Sequence, residues 1–296
     1  MKLRVIISVI MCSLTMLGAH AQQDPLYSQY MFNMMGINPA YAGSREVLSV
    51  TGMAKAQWAG IEGAPLTEML TADFAIKEKK IGLGVALLND RIGVFNTTAI
   101  NFNGAYRIRL SKGTLAMGLL GGVQNYKADY TSVQLASANG NNDPAFSNNV
   151  NQFKPTLGAG LYYNTDKFYV GFSTPQMLKY ESYYQNAQWF LAGGYVFNLS
   201  PDVVLKPSVL LRMTKGTPIN ADFNANVWLH NIVALGVSVR TSSMYVAMLE
   251  VQINHQLRFG YAYDWSPTSI NKGSHEFMLR YEFGYDKKRM MSPRYF

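Results

Sequence analysis

Few residues in this chain have the types and spacing that chemistry requires. Beyond the first 21 residues the histidines are His230, His255 and His275. None stands in a ligand pattern that would hold a zinc ion or a catalytic metal. The single cysteine, Cys12, sits inside the apolar leader, so the rest of the chain has no disulfide and no thiolate site. Serines are many, yet no serine, histidine and acid share a nucleophile motif. The pairs Gly82-Leu83-Gly84, Gly121-Gly122, Gly158-Ala159-Gly160 and Gly193-Gly194 fall inside strand patterns. A dinucleotide loop must instead open a helix after a strand. Those glycines relieve curvature or let another element approach a sheet. Asn139-Gly140-Asn141-Asn142-Asp143 is rich in oxygen donors but lacks calcium-loop spacing, and reads as a turn. The expectation is a protein that is not an enzyme, with no cofactor and no metal.

The elements that carry these residues are strands. Between 97 and 110, Ile100, Phe102, Tyr106, Ile108 and Leu110 share one parity, and Asn101, Asn103, Arg107 and Arg109 the other. Side chains alternate across a strand, so one face is apolar and aromatic, the other polar. The pattern recurs near 47–58, 66–77, 81–90, 97–110, 114–126, 155–165, 167–174, 188–199, 203–213, 218–229, 232–241, 244–254, 256–264 and 274–285. Links also alternate in length. Tight turns fall near Lys79-Lys80, Ser111 to Gly113, Thr165-Asp166, Ser200-Pro201, His230-Asn231 and His255. The intervening links are mostly longer, including Ala59 to Pro65, Arg91 to Asn96, Lys127 to Lys154 and Pro175 to Ala187. Ser242-Ser243 is the short exception. Even-stranded outer-membrane barrels have short periplasmic turns, longer outer loops and both ends in the periplasm. An all-β antiparallel transmembrane barrel of about 14 strands is therefore expected.

Composition agrees. Charged residues are 15% and aromatics 13% of the chain, whereas soluble domains are about one-quarter charged. Outside the leader no apolar run reaches the ~18 residues of a membrane helix. An arginine facing lipid at mid-membrane costs ~2–4 kcal/mol. Arg107, Lys206, Arg212, Arg240, Arg258 and Arg280 must then face the lumen, with Asp73, Asp222, Glu250, Glu276 and Glu282. The 26 basic residues exceed the 18 acidic ones, but they are scattered, which argues against nucleic acid. Lys2 and Arg4, the apolar run to Leu17, and Ala19-His20-Ala21 form an export signal over 1–21.

Residues 22–44 precede the first strand and break the alternation. Tyr27, Tyr30, Phe32, Asn38, Pro39 and Tyr41, with Met31, Met34 and Met35, make this segment too apolar for a disordered tail. It is expected either to plug the lumen or to dock on a periplasmic partner, with 45–296 forming the barrel.

The opening Gln23-Asp24-Pro25, Ser28-Gln29-Tyr30-Met31-Phe32-Asn33 and Ile37-Asn38-Pro39-Ala40-Tyr41-Ala42-Gly43-Ser44 resembles the start of the PorP/SprF family. Gln57-Trp58, Gly63-Ala64-Pro65, Asn89-Asp90, Asp166-Lys167-Phe168-Tyr169, Leu205-Lys206-Pro207-Ser208, Leu257-Arg258 and Gly273-Ser274-His275-Glu276 extend the resemblance along the chain. It implies an outer-membrane component of the type IX secretion and gliding machinery. Its implied partners are a secreted surface adhesin and periplasmic type IX components, besides outer-membrane lipid. The implied role is export or anchoring of a surface protein by protein–protein contact. A passive channel for small solutes is the alternative that the polar lumen leaves open.

Overall fold

In the computed structural model, residues 27–76, 78–132, 148–178, 186–267 and 273–284 are described. The export signal at 1–21 and the asparagine-rich turn at 139–143 lie outside them. The strands run β1 Leu48–Ala56, β2 Leu66–Ile76, β3 Ile81–Ile92, β4 Phe95–Leu110, β5 Gly113–Ala128, β6 Val150–Asn164, β7 Phe168–Gln176 and β8 Gln188–Tyr195. They continue with β9 Phe197–Asn198, β10 Val203–Thr214, β11 Asn220–Leu229, β12 Val233–Arg240, β13 Met244–Gln252, β14 Leu257–Trp265 and β15 Ser274–Phe283. Apart from β8 and β9, which both pair with β10, each pairs antiparallel with its sequence neighbour, and β15 returns to β1 from Leu48↔Phe283 to Ala56↔His275. The sheet closes as a 14-stranded barrel.

Two short pieces, β8 and β9, share one wall position. Ser208↔Gly194 and Val204↔Asn198 keep a single register against β10. The break between them falls opposite Lys206 and Pro207, and proline has no N–H to give the ladder. The third link also differs from expectation. It shrinks to Gly93-Val94, because β3 and β4 pair as far as Ile92↔Phe95. Gly93 supplies the positive φ of 56° that so tight a turn needs.

Side-chain parity divides the wall into two faces. Phe102 is 64% exposed and Asn103 only 3%, which places the arginine parity inward. Arg107, Lys206, Arg212, Arg240, Arg280, Asp73, Asp222, Glu250 and Glu276 are buried, and Arg258 and Glu282 are partly so. Leu70, Leu87, Ile100, Leu119, Leu157, Val170 and Val237 are exposed on the outside. An apolar surface of that extent suits lipid and not water. Trp58, Trp189, Tyr245 and Trp265 stand exposed near the long-loop end, and Phe168, Tyr195, Phe197 and Phe283 near the short-turn end. They form the two aromatic girdles of a membrane barrel.

Candidate functional site

The core of this barrel is its own chain. Residues 27–46 lie inside the ring and bond to strands on opposite sides of it. Three single-turn 3₁₀ helices, Tyr30–Phe32, Met34–Gly36 and Pro39–Tyr41, shape the path. The last begins as sequence chemistry dictates. Asn38 caps it, its Oδ1 accepting from the Ala40 N–H at 3.0 Å, with Pro39 in the first position.

Residues 27–29 lie at the level of the long-loop end. The Tyr27 hydroxyl donates to the Thr67 carbonyl at 3.0 Å, one residue from the start of β2. The Ser28 N–H reaches both Glu276 oxygens at 2.8 and 2.9 Å, and the Gln29 N–H reaches one at 3.2 Å. The Ser28 hydroxyl donates to Asp264 at 3.0 Å. Lys55 Nζ lies 2.9 Å from Asp264 and 2.8 Å from Glu276, all three essentially buried. One ammonium faces two carboxylates, so the backbone and hydroxyl donors of the segment supply what the lysine alone does not.

Across the middle, Asn224 Nδ2 donates to the Tyr30 hydroxyl at 2.7 Å, and the Arg280 guanidinium donates to the Phe32 carbonyl. Ser173 Oγ donates to the Ile37 carbonyl at 2.7 Å, and Asn38 Nδ2 to that of Leu161 at 3.0 Å. Tyr41 meets Tyr162 edge-on with centroids 5.4 Å apart. A cavity of about 40 Å³ remains between Tyr27, Tyr30, Asn33, Met53 and Met69.

At the short-turn end the segment is clamped before it enters β1. The Gly43 N–H donates to Asp73 at 2.8 Å, and Arg107 donates to the Gly43 carbonyl at 2.7 Å. Arg45 pairs with Glu282 at 2.8 Å. Glu46 meets Lys79 at 2.5 Å, with Arg107 at 3.6 Å and Arg109 at 3.8 Å.

Wall glycines make the fit. A Cβ at Gly118 of β5 would overlap the Ala40 backbone, and one at Gly82 of β3 the Ala42 carbonyl. Gly160 and Gly84 likewise make room for Asn38 and Met35. Parts of the inner wall pair with each other. Arg240 grips Asp222 through two bonds of 2.7 and 2.8 Å. Lys206 and Arg258 lie 4.8 and 5.3 Å from the Trp228 ring.

All six residues singled out in the sequence, Tyr27, Tyr30, Phe32, Asn38, Pro39 and Tyr41, are buried in this segment. Sequence reasoning missed Ser28, Gln29, Asn33, Lys55 and Asp264. The available signal was acids and glycines on the inward parity, since each must meet something there. The histidines do not assemble. His230 pairs with Asp202 in exposed turns at 3.1 Å, and His275 Nδ1 lies 2.8 Å from the Tyr261 hydroxyl on the outer wall. Among the described residues no three His, Cys, Asp or Glu side chains could hold a metal together.

The family described as type IX secretion system membrane protein PorP/SprF matches residues 19–281. No curated protein matches the chain. Among solved structures, the Ralstonia pickettii toluene transporter TbuX is 8% identical. It covers 90% of this chain and 96% of its own, with a TM-score of 0.52. The Acinetobacter baumannii outer membrane protein Omp33 is 9% identical, covering 80% and 98%, with a TM-score of 0.49. At such identities the likeness is one of fold alone.

Proposed function

Because the chain belongs to the PorP/SprF family of type IX secretion system membrane proteins, we propose that this outer-membrane barrel serves secretion by protein–protein contact, as a partner of one exported surface protein. In this reading it is neither an enzyme nor a conduit for solutes. Its secreted client is a surface adhesin, and its other contacts are periplasmic type IX components. Gliding depends on it only through that client.

The observation that carries the reading is the occupied lumen. A solute channel needs a continuous wet path, yet residues 27–46 are bonded to strands on opposite walls at three levels. We assign residues 22–44 the role of a plug, following the signal at 1–21. The short-turn end then faces the periplasm and the longer loops face outward.

Two measurements on one strain and one preparation test this. Deleting the gene should remove one surface protein from the cell exterior while uptake of small solutes is unchanged. The purified barrel in a planar bilayer should pass no large stable current, whereas deletion of 24–42 should open one. Steady porin-sized currents from the intact chain, with the surface proteome unaltered in the deletion strain, would establish the solute channel instead.

A further inference from the structure

Outside the barrel, at the seam where β1 closes on β15, the wall is hollowed. The outward residues of β1 there are Gly52 and Ala54, while Phe277 and Leu279 rise on one side and Leu70 on the other. Together they border a groove of about 480 Å³. That volume is within the ~300–1,000 Å³ typical of small-molecule sites. A Cβ placed on Gly52 would meet nothing within 4 Å, so the hollow is open space that neighbouring side chains do not fill.

The upper rim of the groove is polar. Registers align Thr98, Asn89, Glu68, Ala54, Phe277 and Tyr261 in one row around the wall. Glu68 is exposed on the outer face, although this row lies inside the girdle of Trp58 and Trp265. Asn89 Nδ2 stands 3.4 Å from Glu68, and the Thr98 hydroxyl donates to Asn89 at 3.0 Å. A contact of 3.4 Å is long for a carboxylate acceptor. A carboxylate turned toward lipid is best satisfied by a donor that comes from the membrane.

We propose that the groove is a lipid site: one acyl chain lies over Gly52 and Ala54, and a headgroup carrying ammonium or hydroxyl donors is held by Glu68 and Asn89. The chemistry favours a lipid over a protein helix. The hollow is one strand wide, bounded by β2 and β15 with ~5 Å between neighbouring strands. That is room for an acyl chain and not for a helix of ~10–12 Å, and Glu68 and Asn89 give it polar acceptors on one side. This assignment is independent of the secretion role.

Native mass spectrometry of the purified full-length barrel, titrated with phosphatidylethanolamine or phosphatidylglycerol, tests it. One lipid should stay bound to the wild type through activation that strips the others. Gly52→Leu with Ala54→Leu fills empty space, so the barrel should fold, as its heat-modifiable gel mobility would report, and retain at least fivefold less lipid. Glu68→Gln should weaken the ammonium lipid at least threefold more than the hydroxyl lipid if ammonium is the ligand. A larger loss for the hydroxyl lipid identifies hydroxyl donors, and no loss for either would overturn the headgroup contact. Equal retention by wild type and the Leu variant would overturn the proposal. So would a Gly52→Cys barrel that cross-links in membranes to a protein and not to a thiol-reactive lipid.

Discussion

The backbone N–H of Ser28 lies between the two carboxylate oxygens of Glu276, at 2.8 and 2.9 Å, across 248 positions of sequence. Residues near the start of the described chain are therefore fastened to the barrel's last strand. Lys55 from β1 completes the contact at 2.8 Å. Segment, first strand and last strand meet at one buried carboxylate.

Glu276→Ala should strike all three elements together. Removing this carboxylate leaves Lys55 with Asp264 alone and strands the Ser28 and Gln29 N–H donors, at ~1–3 kcal/mol for each buried donor without an acceptor. Urea unfolding in vesicles should show a loss of that order, and protease should cleave near Tyr27 faster. An unfolding midpoint equal to wild type would mean that the contact contributes nothing.

Gly118 and Gly104 provide a matched pair. A Cβ at Gly118 overlaps Ala40, while one at Gly104 meets nothing within 4 Å. Gly118→Val should destabilise the barrel by about 1–3 kcal/mol or displace the segment. Gly104→Val should stay within ~0.5 kcal/mol of wild type. Thermal unfolding of both variants decides the matter, and identical curves would argue against a close fit at Ala40.

Phe102 faces lipid at 64% exposure. Phe102→Arg should cost ~2–4 kcal/mol if the residue lies near the bilayer midplane, lowering the folded fraction in vesicles. Phe102→Leu should be almost silent. Comparable folded yields of the arginine and leucine variants would exclude this register.

Arg240 and Asp222 should behave as a unit, joined by bonds of 2.7 and 2.8 Å. Asp222→Ala or Arg240→Ala alone should each cost several kcal/mol, about 3–5, by stranding a buried charge. The double variant should cost clearly less than the two added together. Strict additivity in unfolding free energies would show that the two groups do not interact.

Much of the wall was legible because a membrane enforces a simple code. The alternation at 97–110 assigned Phe102 and Arg107 to opposite faces, and the cost of an arginine in lipid said which face was which. Turn boundaries were less legible. Arg91 to Asn96 looks like a loop in composition, yet a pairing partner on the neighbouring strand extends β3 to Ile92. The interior was legible only in part. Tyr27, Tyr30 and Tyr41 announced burial by their apolarity, but nothing local announced that Ser28 would find Glu276. That contact depends on ring closure, which no window of sequence contains. Gly82 was legible as room for an approaching element and does lie against the Ala42 carbonyl, whereas Gly118, which lies against Ala40, was not singled out.

The β1–β15 pairing also orders events in time. Glu276, Arg280 and Glu282, which hold Ser28, Phe32 and Arg45, all belong to the strand that is synthesised last. Contacts of such separation form slowly, because a long loop must close before they return any energy. Until β15 arrives, the opening residues lack these three anchors and the wall still has an edge. When it arrives, sealing the ring and capturing the residues within it become a single committed step. A precursor lacking its final strand would thus lose more than one-fourteenth of its wall: it could not close, and it would hold residues 27–46 without three of their anchors.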